Sequence, residues 1–115
     1  LSQNSPRPSR VSLEDYRANL QEIIDISKLK NVRVILITRH WYVRDNVLNQ
    51  YNEVIRDVAR RNNVEVVDIA ALLNKPWTAI YYNRPAMDWV HLNRAGYDLV
   101  AHEVAQSILA PIFKD

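Results

Sequence analysis

Two short runs rich in β-branched residues, Val32–Thr38 (VRVILIT) and Val64–Ile69 (VEVVDI), bracket an amphipathic stretch over Asp45–Asn62. That arrangement limits what the chain can become. The nearly continuous apolar character of Val32–Thr38 predicts a strand covered on both faces, as in parallel sheets, and Val64–Ile69 reads as the next strand. Between them, Val47, Leu48, Tyr51, Val54, Ile55, Val58 and Ala59 recur at helical spacing, so the three segments predict a βαβ unit. Asn62 and Asn63 stand where the helix must stop, asparagine being a residue that tolerates the left-handed conformation.

Another helix is predicted on each side of this unit. Ser12 followed by Asp15 has the form of a capping box, and Leu13, Tyr16, Leu20, Ile23, Ile24 and Ser27 form one stripe behind it. Residues 1–11, with four serine or asparagine residues and two prolines, predict an irregular lead-in. After the second strand a short helix over Ala70–Leu73 is expected to stop before Pro76. Trp77–Val90, aromatic and without period, predicts a long loop. Asn93 is the expected N-cap of a last helix over Arg94–Leu109, with Tyr97, Val100, Ala101, Val104 and Ile108 inward and Pro111 beyond its end. The single glycine, Gly96, falls in the first turn of that helix, where close packing would require it.

The predicted class is therefore α/β. Two strands are few for such a layer, since both would be edges and three amphipathic helices would stay partly uncovered. The chain opens on Leu1, without methionine and without a charged segment leading into an apolar one. Both observations predict a chain processed or cut from something longer, its other strands encoded upstream or supplied by a partner.

Composition narrows the function. The 115 residues suit one domain, and 48% hydrophobic with 24% charged residues is ordinary for a globular protein. No apolar run reaches the roughly 20 residues of a membrane-spanning helix. Fifteen basic against thirteen acidic residues leave a net charge of +2, which does not point to nucleic acid. Arg56, Arg60 and Arg61 alternate with Glu53 and Asp57 as on a solvated helix face. With no cysteine, thiol catalysis, disulfides and cysteine-ligated zinc are excluded together. No compartment is legible.

Chemistry concentrates in Asp88-Trp89-Val90-His91, expected as one turn ahead of the last helix. At this spacing a carboxylate can accept from Nδ1–H of an imidazole and leave Nε2 ready to take a proton. The tetrapeptide by itself also fits a surface or capping histidine. Continued as Leu92-Asn93-Arg94-Ala95-Gly96-Tyr97, it resembles the last block of SGNH/GDSL hydrolases, in which Asp-x-x-His-hydrophobic precedes a helix start and a Gly-aromatic pair. Leu13–Leu20, Val34–Thr38, Tyr51–Val54 and Val66–Asp68 follow in order as similar pieces of the C-terminal half of small esterases of that family, especially the isoamyl acetate esterase-like branch.

The resemblance implies a three-layer αβα, flavodoxin-like parallel-sheet fold whose N-terminal strands are missing from this chain, with residues 1–115 forming the C-terminal half of one domain. It implies ester hydrolysis by a Ser-His-Asp triad in which Asp88 and His91 are catalytic, without metal or organic cofactor. The family's Gly-Asp-Ser-Leu-like block is absent, and none of Ser2, Ser5, Ser9, Ser12, Ser27 and Ser107 suits the nucleophile's role. The serine would come from an N-terminal partner segment or chain, so that the isolated chain would be inactive. Asn4 is either a degenerate counterpart of the family's oxyanion-hole asparagine or an ordinary loop residue.

His40 and Trp41, after the first strand, either line the acyl or alcohol pocket or belong to a surface loop, and Trp89 is a further pocket candidate. No local zinc motif such as His-Glu-x-x-His is present, and His102 with Asp98 fits a polar helix face. The expected substrate is a small-molecule or glycan ester. The competing expectation is a non-catalytic binding module derived from a hydrolase, docking through its helix faces and sheet edge.

Overall fold

A computed structural model describes residues 11–40, 46–83 and 88–113; for 76, 88–90 and 111–113 the backbone alone is described. The elements in order are α1 (Leu13–Leu29), β1 (Ile35–Ile37), α2 (Asn46–Asn62), β2 (Glu65–Val67), α3 (Ile69–Leu73), a 3-10 helix (Pro76–Tyr81), β3 (Tyr82–Asn83), β4 (Asp88–Leu92) and α4 (Arg94–Phe113).

The predicted βαβ unit forms. β1 and β2 pair in parallel, with Ile35 beside Glu65, Leu36 beside Val66 and Ile37 beside Val67. Alternation then sorts the strands between two layers. Val34, Leu36 and Val64 pack with Ile24, Val54 and Val58 of α1 and α2. Ile35 and Val67 belong to the opposite core with Leu73, Tyr82 and Leu92, against which Leu99, Val100 and Val104 of α4 lie. Helices thus cover both faces of the parallel pair, in an α/β/α arrangement.

Both strands are shorter than the apolar runs that encode them, because the helix exits consume the first residues. Asn31 and Asn63 take left-handed conformations, with φ of 57° and 53°. Each is followed by a valine whose N–H reaches back across the last turn, Val32 to the Ser27 carbonyl at 2.8 Å and Val64 to the Ala59 carbonyl at 2.9 Å. These are six-to-one closures of the Schellman kind. The stop at Asn63 was legible in the sequence; its twin at Asn31 was not.

At the other end of α1, the Ser12 hydroxyl accepts from the Asp15 N–H at 3.1 Å, as the capping pattern predicts. Tyr16 meets Tyr51 edge to face at 5.1 Å, and the Tyr51 hydroxyl donates to the Val11 carbonyl, joining the entry of α1 to α2. Ile24 is buried in the stripe of α1, whereas Ile23 is exposed. On α2, Val47 likewise faces solvent.

Further expectations change. Trp77–Val90 is no single loop: its start is the 3-10 helix, and Tyr82–Asn83 pairs antiparallel with β4. A two-residue strand and an irregular register leave no alternation for a sequence reading to detect. On α4 the packed residues are Leu99, Val100 and Val104, while Tyr97, Ala101 and Ile108 are exposed. Apolar residues recur on every side of that helix between the polar ones, so periodicity does not select a face. Finally, α4 runs through Pro111 to Phe113. Proline has no N–H for the carbonyl four residues back, but Arg33 compensates, its guanidinium donating to the Ser107 carbonyl at 2.6 Å and to that of Ile108 at 2.9 Å.

Candidate active site

Parallel pairing brings the carboxyl ends of β1 and β2 to one edge, the place where open α/β sheets form ligand crevices. Thr38 leaves β1 there and is buried. Its hydroxyl donates to Asp68 Oδ1 at 2.7 Å and accepts from the Ala70 N–H at 2.9 Å. Asp68, at the end of β2, also caps α3 by accepting from the Ala71 N–H at 3.2 Å. Arg56 of α2 grips the same carboxylate with Nε and Nη2, at 2.8 and 2.9 Å. Its hold brings the Asp68 carboxyl down to about 2 against the opposition of partial burial, with Thr38 and Ala71 adding to the effect. The same bond raises the Arg56 pKa.

The next residue, Arg39, is held by its peptide groups. The buried Asn52 carboxamide accepts from the Arg39 N–H and donates to the Arg39 carbonyl, both at 2.9 Å. His40 follows, half-buried, its ring centroid 6.1 Å from that of buried Tyr82 at an interplanar angle of 59°. Tyr82 is fixed in turn by its hydroxyl, which donates to the Leu73 carbonyl at 2.9 Å.

Tyr82 belongs to the strand pair that carries the Asp-x-x-His segment. Tyr82 stands opposite Leu92 and Asn83 opposite Asp88. One step along β3 therefore spans four along β4, a break in the ladder that also breaks the regular alternation of its side chains. In place of the expected turn, Asp88 opens a strand and His91 lies near its end, exposed.

Asn93 fastens this strand to the last helix. Its side-chain oxygen accepts from the Gly96 N–H at 2.9 Å, confirming the predicted cap, while its side-chain nitrogen donates to the carbonyls of Ile80 and Tyr82 at 2.6 and 3.0 Å. Its own N–H donates to the Tyr81 carbonyl at 2.9 Å. Gly96 completes the joint: a Cβ there would lie 2.3 Å from the Tyr81 carbonyl oxygen and 2.9 Å from Leu92 Cβ. The two residues before Asn93 are Leu92, in the core, and His91.

Of the residues singled out from sequence, the fold thus brings His40 beside the hairpin of Asp88 and His91 through Tyr82. Asn4 and Trp41 lie outside the described residues, as do the side chains of Asp88 and Trp89. Thr38, Asn52, Arg56 and Asp68 went unread as site residues. A signal existed for Asp68, an aspartate between a β-branched run and a helix, which is the position of an N-cap. Among the described residues no three His, Asp or Glu side chains gather as a metal ion would require, and no helix is long and apolar enough to cross a membrane.

Comparison with known proteins gives the arrangement a lineage. An acetylxylan esterase of Geobacillus stearothermophilus is 27% identical over 109 residues, covering 89% of this chain and 49% of that protein. The crystal structure of a lipase/acylhydrolase from Enterococcus faecalis is similar in fold, with a TM-score of 0.75 at 20% identity over 91% of this chain and 55% of that one. The Geobacillus acetylxylan esterase structure gives a TM-score of 0.71 at 25% identity, over 92% and 49% of the two chains. The chain spans about half the length of the relatives it matches. Residues 7–99 match the GDSL-like lipase/acylhydrolase family, and the chain belongs to that family.

Proposed function

We propose that this chain supplies the aspartate and histidine of a Ser-His-Asp triad that hydrolyses carboxylic esters, the serine coming from an N-terminal segment or chain. The observation that carries this reading is the placement of Asp88-x-x-His91 directly before the Asn93 cap, in a GDSL-like acylhydrolase chain. His91 is exposed to solvent in this chain.

In this reading Asp88 accepts from Nδ1–H of His91 and holds the tautomer in which Nε2 is basic. Nε2 takes the proton of the serine hydroxyl as its oxygen attacks the ester carbonyl. The tetrahedral intermediate collapses, and His91 returns the proton to the departing alkoxide, releasing an alcohol. Water, deprotonated by His91, then attacks the acyl-enzyme; as the acyl–oxygen bond breaks, His91 returns that proton to the serine oxygen and the carboxylic acid is freed. Asn4 is the candidate donor to the oxyanion, with His40, Trp41 and Trp89 as candidate walls of the pocket. The kinship with acetylxylan esterases favours an acetylated glycan as substrate.

The test is steady-state hydrolysis of 4-nitrophenyl acetate and acetylated xylo-oligosaccharide by the protein purified under native conditions. Intact mass is measured before and after denaturation. A serine-bearing segment is expected in the native species, with His91→Ala lowering kcat by about 10³-fold or more. Full activity in His91→Ala would sink the reading. A 13.5 kDa chain that occurs alone and inert would favour the second one, a docking module, to which the exposed Ile23, Ile26, Leu29 and Val32 lend support.

A further inference from the structure

We propose that Asn52 is a positioning residue for His40, acting through the peptide of Arg39; this rests on the reading of His40 as a wall of the ester pocket. Asn52 lies in the middle of α2 among apolar neighbours, with Val54, Ile55 and Val58 buried on the same helix. A polar carboxamide at such a position is costly unless both its ends are hydrogen-bonded. Here both are, and to a single residue: the oxygen takes the Arg39 N–H and the nitrogen gives to the Arg39 carbonyl.

The chemistry of the side chain is specific to this task. One planar group must accept from an N–H and donate to a C=O of the same residue. A carboxylate at position 52 would face the carbonyl with a second acceptor, and leucine, of similar shape, would offer neither function.

The residue before Arg39 is anchored as well. Thr38 is buried, with its hydroxyl committed to Asp68 and Ala70, and its N–H donates to the Val67 carbonyl at 3.2 Å. Two consecutive residues are therefore fixed at the end of β1, one by β2 and one by α2, and the direction in which His40 leaves the sheet follows from them. On that path the imidazole lies beside Tyr82, in the strand that pairs with Asp88 and Leu92. Asn52 thus transmits the rigidity of the helical layer to a side chain at the carboxyl edge without touching substrate itself.

His40 is read as a wall of the pocket and not as a reacting group, so loosening it should weaken substrate binding more than the chemical step. The experiment is a double-mutant cycle in the complete enzyme with its serine-bearing half, using Asn52→Ala, His40→Ala and the double variant on acetylated xylo-oligosaccharide. Each single substitution is expected to raise KM roughly tenfold while kcat stays within about threefold, and the double variant is expected to match His40→Ala alone. Multiplying effects in the double variant, or an Asn52→Ala enzyme with a lowered Tm and unchanged KM, would overturn the proposal. Should Asn52→Ala fail to fold, Asn52→Asp, which keeps the acceptor for the Arg39 N–H, serves in the same cycle under the same criteria. An unchanged KM in His40→Ala removes the pocket reading and this proposal together. A full kcat in His91→Ala removes the triad reading and leaves the coupling between Asn52 and His40 standing.

Discussion

Arg56 closes on Asp68 as a two-pronged fork, Nε 2.8 Å from Oδ2 and Nη2 2.9 Å from Oδ1, tying the middle of α2 to the carboxyl end of β2. Planar guanidinium and planar carboxylate match in a way a lysine ammonium cannot. Arg56→Lys is therefore expected to lower stability by about 1 kcal/mol, and Arg56→Met by about 2 kcal/mol, since the latter leaves the carboxylate without its counter-charge. Urea unfolding at neutral pH measures both.

The same carboxylate makes stability acid-sensitive in a defined window. In the fold Asp68 keeps its charge down to about 2, whereas its ordinary value is 3.8. The unfolded chain therefore binds the proton first. The contribution is complete above about pH 5, falls as pH drops through 4 and 3, and is lost below about 2; with a third of the side chain in water it amounts to about 1 kcal/mol. Unfolding free energies of the native protein and Asp68→Asn, compared from pH 7 to pH 2, should converge at the acid end. A constant gap across that range would refute the assignment.

Gly96→Ala tests the joint between α4 and the hairpin. Alanine is ordinarily the better helix former by about 1 kcal/mol. Here its Cβ would sit 2.3 Å from a backbone oxygen that is itself bonded to the Asn93 N–H, so the whole joint has to move. A net loss of about 2 kcal/mol is expected, read as a shift of the denaturation midpoint.

Arg33 and Pro111 form a compensating pair. Arg33→Met withdraws the donor from the Ser107 carbonyl, which Pro111 cannot serve. Faster amide exchange in the last turn of α4 is expected, and Pro111→Ala in the same background should slow it again by restoring a donor. Equal exchange in both variants would show that Arg33 has no part in holding that turn.

Much of this architecture is written locally. Ser12, Asn63 and Asn93 each announce a helix boundary through the chemistry of one side chain, Gly96 announces a close approach by having none, and the β-branched runs announce the parallel pair. What escaped a linear reading depends on residues that meet only after folding. Arg56 and Asp68 come together through the crossover of α2, and Asn52 reaches Arg39 in the same way. The hairpin went undetected because β3 is two residues long and its partner is out of step. The Asp88–His91 motif was legible as a string of letters, yet its extended backbone was not, since a tetrapeptide carries no period that separates turn from strand.

The paired asparagine exits reach further than the helices they end. Each fixes the phase in which a strand enters the sheet, and strands have a phase of two. Inserting a single residue between Asn63 and Glu65 would turn Val67 toward the α1–α2 layer and present Val66 to α4, exchanging what β2 contributes to the two cores. The final residue of that segment, Asp68, would swing away from Arg56 and Thr38 at the same stroke. Length between Asn63 and Asp68 is thus as much a part of the site as the identity of its side chains, and an inserted or deleted residue there would disturb what a substitution leaves in place.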